Sequence, residues 1–193
     1  MWPNVIEKEN GREKIYDIPS RLLLDRIIML TETIDSGTAA SIIGQLLYLE
    51  SQNPEEPITM YINSPGGNIT DGLAIYDIMN KINCSVNTVC TGMAASMAAF
   101  LLCAGTGTRY AMPNSTIMIH QPLGGVQGQA TDIAIVANRI LNLKTKLYTI
   151  FSKKTGSTYD QIAKACERDN YLSPEEALSM GLIDKIINTK MED

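Results

Sequence analysis

Apolar and polar positions alternate along this chain with periods that change several times, and each change marks an element. Ile58-Thr59-Met60-Tyr61-Ile62-Asn63 alternates as a half-buried strand does, and Ser64-Pro65-Gly66-Gly67 stops it sharply. Leu73, Tyr76, Met79 and Ile82 then recur at three-residue spacing, which predicts a helix. Earlier, Asp25 to Leu30 reads as a buried strand, and Gly37 to Glu50 as a helix carrying Ala40, Ile43 and Leu47 on one face. Ser85 to Cys90 and Thr116 to His120 are two more short strands. Between them Gly92 opens a turn into an apolar helix at Ser96, and Ile183 to Ile187 returns as a last strand. Strands and helices alternating through short connections predict an α/β domain with a largely parallel sheet.

Two helices say more. From Asp132 to Lys154, Ile133, Val136, Ile140, Leu143, Leu147 and Ile150 recur at spacings of three and four, and Gly156 is placed to end the run. Such a helix is about 35 Å long. It either crosses its own core or projects to pack on another subunit, and projection is the expectation. Ser173-Pro174-Glu175-Glu176 forms a capping box worth about 1 kcal/mol, with Gly181 to close the helix that follows. Residues 1–19 are polar and weakly periodic, and read as a mobile arm or an edge hairpin. With no repeat, low-complexity tract or linker, residues 1–193 read as one domain.

Composition removes several function classes. Sixteen basic and twenty-one acidic residues give a net charge of −5, and the basic ones are scattered, which argues against nucleic acid. The apolar stretch from Ala94 to Ala104 is too short to span a bilayer. Met1-Trp2-Pro3-Asn4 lacks the basic start of a secretory signal, so no membrane and a cytoplasmic location are expected. Cys84, Cys90, Cys103 and Cys166 form no CxxC pair and read as small buried hydrophobes. With a single histidine they assemble no common zinc site, so no metal is expected. No GxxxxGK[ST] string is present, so no nucleotide cofactor is expected either.

That single histidine, His120, is the one candidate base that titrates near neutral pH. It lies in Ile117-Met118-Ile119-His120-Gln121-Pro122-Leu123-Gly124-Gly125, and Ser96 lies upstream in Gly92-Met93-Ala94-Ala95-Ser96-Met97-Ala98-Ala99-Phe100. Cleavage by a serine needs a base within reach, a carboxylate to orient it, and donors where negative charge develops. Ser96 at a strand-to-helix junction would bring the N–H of Met97 to the positive end of the helix. Gly66 and Gly67 let backbone approach a substrate, so an N–H there is a candidate second donor. Each piece also has an ordinary reading. A lone histidine between isoleucines is more often a buried strand residue, small residues before an apolar helix are more often packing devices, and Pro-Gly-Gly is more often a plain turn. The GxSxG elbow is absent, and spacing selects none of the twenty-one carboxylates.

Taken together and in order, several strings narrow the choice. Tyr61 to Gly67, Gly92 to Phe100, Ile117 to Gly125 with Gln127 to Asp132, and Arg168-Asp169-Asn170 strongly resemble the proteolytic subunit of the Clp protease family, from about Asp17 to Ile187. The resemblance implies a Clp/crotonase-like spiral of βαβ units with a protruding long handle helix in the region of about 127–156. It implies Ser96 as nucleophile, His120 as general base, Asp169 as the orienting acid, and the N–H groups of Gly67 and Met97 as the oxyanion hole. It further implies a homo-oligomer of two stacked heptamers whose ring–ring contacts include Arg168, Gln129, Thr131 and Asp132. Residues 1–19 would form an arm at the axial pore. A Clp-type AAA+ ATPase, which would consume the ATP, would dock near Tyr61 and Thr59 and feed in unfolded proteins.

The sequence departs from the family's usual pattern at Pro19, Leu24 and Thr59, which bears on partner choice and raises a mixed ring with a second paralogue. Two alternatives stand beside the peptidase: a catalytically silent or regulatory subunit, and a crotonase-type acyl-CoA hydratase or isomerase.

Overall fold

The structure is a computed structural model and describes residues 3–9 and 12–187. It opens with an antiparallel hairpin, β1 (Asn4–Glu9) and β2 (Arg12–Asp17), paired from Asn4↔Asp17 to Glu9↔Arg12. The N-terminal segment is thus a hairpin rather than a loose arm. Met1, Trp2, Asn10 and Gly11 of that segment lie outside the described residues.

Next comes α1 (Ile18–Leu24), which the apolar pattern did not reveal. Asp17 caps it by accepting the Ser20 N–H at 2.7 Å, and Pro19 falls in the first turn, where a missing N–H costs nothing. This helix displaces the strand expected from Asp25. Asp25 is the C-cap of α1, Arg26 has φ 61°, and β3 spans only Ile27–Leu30.

In α2 (Ser36–Gln52) the core residues are Ala39, Ile42, Leu46 and Leu49. The expected stripe lies one position round the helix: Ala40 and Leu47 are exposed and Ile43 is half-buried. Both stripes are apolar at helical spacing, so only the packed partner decides which faces inward. Alternation in β4 (Ile58–Ser64) does hold, with Ile58, Met60 and Ile62 in the core and Thr59 and Tyr61 on the other face. In α3 (Ile69–Lys81), Gly72, Ile75 and Met79 are buried, Leu73 and Tyr76 pack at the margin, and Ile82 is the C-cap.

The following strand, β5 (Val86–Ala95), runs on past Cys90. Gly92 therefore does not open the turn into the next helix. With φ 73° it sits where the β4 pairing shifts from Ile62↔Cys90 to Ser64↔Ala94. Asn63 Oδ1 accepts the Met93 N–H there at 3.1 Å, which fixes the irregularity. The helix α4 (Met97–Cys103) is buried at every residue. Its Phe100 ring lies between Tyr76 at 5.4 Å and Phe151 at 5.5 Å, joining three helices in one core.

The remaining elements are β6 (Arg109–Ala111), β7 (Thr116–Ile119), α5 (Ala130–Thr155), α6 (Tyr159–Ala165), β8 (Asn170–Leu172), α7 (Pro174–Ser179) and β9 (Lys185–Ile186). The main sheet runs β3-β4-β5-β6-β9, all parallel. β5 is long enough to take β6 beside Thr88–Cys90 and β7 beside Met93–Ala95, and β8 runs antiparallel to β7. The fold is thus α/β with a mostly parallel sheet. β9 is shorter than the strand expected over Ile183–Ile187, because Asp184 turns its carboxylate back to Arg109. Gly156, left-handed at φ 75°, ends α5, and the Ser173/Glu176 capping box is present. α5 is buried only toward its end, at Leu147, Tyr148 and Phe151, whereas Ile133, Ile135 and Leu141 are 41, 62 and 58 % exposed. No helix among the described residues is long and apolar enough to cross a membrane.

Candidate active site

Ser96 is the single residue between β5 and α4, and the sharp change of direction gives it φ 55° and ψ −120°, an unusual conformation for a residue with a side chain. Its N–H donates to Met118 O at 2.8 Å, tying the junction to β7. Its hydroxyl does not cap the helix it precedes and is free for another partner. That partner is His120 Nε2, 2.8 Å from Ser96 Oγ.

His120 follows β7 directly. The β7–β8 register, Ile119↔Asn170, brings the preceding residue of the second strand, Asp169, opposite the imidazole. Asp169 Oδ1 lies 2.9 Å from His120 Nδ1. The imidazole side chain is only 12 % exposed and the carboxylate 58 %. A neutral imidazole with its proton on Nδ1 satisfies both contacts, donating to Asp169 and accepting from the Ser96 hydroxyl. Residue spacing could not select this carboxylate, because the antiparallel return that presents it is a three-residue strand; only the family resemblance pointed to it.

The Pro65-Gly66-Gly67 loop packs against the same junction. A Cβ on Gly66 would lie 2.5 Å from Ala95 O, and one on Gly67 would lie 2.2 Å from Ile34 O. Both have positive φ, 88° and 154°, so glycine meets a steric and a conformational demand at once. Ile34 N–H donates to Gly66 O and Asn68 N–H to Ile34 O, both at 2.8 Å. Ser64, missed at the sequence level, anchors the loop: its buried hydroxyl donates to Glu32 O at 2.6 Å and accepts the Gly66 N–H at 3.1 Å. The N–H groups of Gly67 and Met97 have no hydrogen-bond partner among the described residues. Both residues line a cleft of about 300 Å³ together with Ser96 and His120. The rest of the cleft wall is mostly apolar, with Ile69, Phe100 and Leu147 among its residues, and Gln121 is the polar side chain beside His120 in it. This arrangement can set a carbonyl carbon beside Ser96 Oγ with its oxygen toward two backbone donors.

Other nucleophiles are poorly placed. Burial pushes the thiols of Cys90 and Cys103 up to about 11 and that of Cys166 up to about 12, so all three stay protonated at neutral pH. All four cysteines are buried and unpaired. Among the described residues no group of three or more His, Cys, Asp or Glu side chains could hold a metal ion.

The other expected site residues fall elsewhere. Gln129, Thr131 and Asp132 are exposed at the start of α5. Arg168 is exposed beside Asp169 and makes no ion pair among the described residues. Thr59 and Tyr61 sit half-buried on the non-core face of β4 and do not line the cleft.

The model of the Clp protease family matches residues 9–190 of the chain.

Proposed function

The chain belongs to the Clp protease family, and from that membership we propose that it is a serine endopeptidase acting on unfolded polypeptides. One observation carries the reading: the chain of contacts from Ser96 Oγ through the single imidazole to Asp169, 2.8 and 2.9 Å long.

In this reading Ser96 attacks the scissile carbonyl carbon while its proton passes to His120 Nε2. Asp169 accepts the Nδ1–H bond, fixes the tautomer and stabilises the imidazolium that forms. The carbonyl oxygen takes the negative charge and is met by the Gly67 and Met97 N–H groups, a contact class worth about 100- to 1000-fold in rate per donor. His120 then gives the proton to the departing amine. A water, deprotonated by the same imidazole, cleaves the acyl-enzyme and regenerates Ser96. No cofactor takes part.

Family membership also supports assembly into two stacked heptamers, with Arg168, Gln129, Thr131 and Asp132 at the ring–ring contact. A Clp-type AAA+ ATPase would dock near Tyr61 and Thr59, hydrolyse the ATP and deliver substrate, in the cytoplasm. The short Thr59 leaves that surface with less aromatic area than the family's usual pattern, and the exposed Leu24 stands where a basic residue is usual, departures that bear on partner choice and raise a mixed ring or a different ATPase.

Hydrolysis of a fluorogenic peptide and labelling by a fluorophosphonate test the peptidase. Ser96→Ala and His120→Ala should each cut turnover by about 10⁶ and abolish labelling without changing native mass. Acidification that protonates the imidazole should silence the enzyme. A wild-type chain that is unlabelled at full assembly would turn the reading to a silent subunit. Labelling that survives Ser96→Ala would place the chemistry at another residue.

A further inference from the structure

Asp169 lies on the connection between α6 and β8, is more than half exposed, and has one hydrogen bond among the described residues, to His120. A carboxylate so placed keeps its aim only if its loop is held. One fastening is the β7–β8 pairing, Ile119↔Asn170. Asn170 Nδ2 also donates to Ala165 O at 3.1 Å, tying the loop to the end of α6. On the other side Gln121 Nε2 donates to Glu167 O at 2.9 Å. The neighbours of His120, residues 119 and 121, therefore grip the loop on both sides of Asp169.

The grip at Gln121 depends on which way its amide faces. Turned over, the amide would set its oxygen against the Glu167 carbonyl, acceptor against acceptor. Lys144 of α5 selects the working orientation, because its ammonium can only donate and lies 3.2 Å from Gln121 Oε1. Lys144 is half-buried, with Nζ 5.5 Å from the centre of the buried Tyr148 ring, so it is not a free surface lysine.

We propose that Gln121 is a positioning residue for the reaction and that Lys144 locks it, so that α5 sets the aim of Asp169 at His120. The proposal rests on the peptidase reading above. Its physical basis is the steep dependence of rate on geometry: about 1 Å of misplacement costs about 100-fold. An apolar side chain of the same size would fill the space at Gln121 and hold nothing.

The test uses the purified full-length protein. Gln121→Met, nearly isosteric but without the donor, should lower kcat about 10- to 100-fold with KM little changed. Lys144→Met should move kcat in the same direction, and Lys144→Arg, which restores a donor, should recover most of it. Gln121→Glu keeps an acceptor for Lys144 but sets an oxygen against Glu167 O, so it should lose at least as much as Gln121→Met. A second readout does not depend on turnover. His120 is the only histidine in the chain, so the Nδ1–H proton bonded to Asp169 gives one assignable resonance in spectra of histidine-labelled protein. That resonance should persist in the wild type and in Lys144→Arg, and be lost to solvent exchange in Gln121→Met and Lys144→Met. Wild-type kcat and an unchanged resonance in Gln121→Met would overturn the proposal. So would a fall in melting temperature and activity with the resonance intact, which marks a merely structural role. If Gln121→Met fails to fold, the Lys144→Met and Lys144→Arg pair decides. If the wild type is not labelled at Ser96, the peptidase reading fails, while the resonance still reports whether Gln121 and Lys144 position Asp169.

Discussion

Ser96 and Tyr148 show how much single residues can reveal here. A serine ahead of a helix ordinarily caps it with its own hydroxyl. Ser96 instead adopts φ 55°, leaves the cap unmade and points Oγ at His120, which costs local backbone strain and frees a hydroxyl. Tyr148 is the opposite case. It is almost fully buried against the cleft, burial pushes its phenol well above the usual range, and Tyr148 Oη is a buried polar atom without a partner among the described residues. Removing an unsatisfied hydroxyl while keeping the ring is close to neutral or favourable. Tyr148→Phe should therefore leave stability unchanged or raise it by up to about 1 kcal/mol, as read from denaturant unfolding. A clear loss would mean that the hydroxyl has a partner in the assembled protein.

At the scale of elements, Arg109 and Asp184 do for the C-terminal region what the capping boxes do for α6 and α7. The Arg109 guanidinium, launched from a three-residue strand, donates to Cys103 O, Lys154 O and Gly181 O. It thereby holds the last carbonyls of α4 and α5 against the turn after α7. Asp184 anchors it through paired bonds, one of them 2.9 Å from Nε, and those bonds hold the Asp184 carboxyl below the usual carboxylate range. A depressed carboxylate contributes stability above its unfolded pKa and loses it as pH falls through the folded one. Asp184→Asn should thus melt below the wild type at neutral pH. The gap should close as pH drops below about 4, which melting curves across pH would show. Such short elements leave weak traces in sequence. The Thr158/Gln161 capping box was the one available signal for α6, whereas β6 and β8 offered no periodicity long enough to read.

On the scale of the molecule, α5 is the unbalanced part. Its last turns are anchored through Leu147, Tyr148 and Phe151, while Ile133, Ile135 and Leu141 face outward. Exposed apolar side chains on a helix that leaves its own core suit burial against another subunit. Under the proposed stacked-ring assembly, replacing Ile135 and Leu141 by lysine should lower the native mass toward single rings or monomers. The melting transition of the fold itself should move little, since neither side chain touches the core. Full assembly in that variant would mean that the ring contact lies elsewhere.

The sequence by itself determined the alternating α/β order, the alternation of β4, the extent and end of α5, and the final capping box, because each rests on local periodicity or local hydrogen bonding. Its rare strings, Gly92 to Phe100 and Ile117 to Gly125 above all, also sufficed for the family. Tertiary structure alone decided which stripe of α2 faces inward, since Ala39-Ile42-Leu46 and Ala40-Ile43-Leu47 are equally apolar and only a packed neighbour separates them. It alone brought one carboxylate of twenty-one to His120, through the Ile119↔Asn170 register, and joined Lys144, Gln121 and Glu167 behind it. Contacts between residues so far apart in the chain depend on strand pairing and on the crossing of α5. Neither leaves a periodic mark.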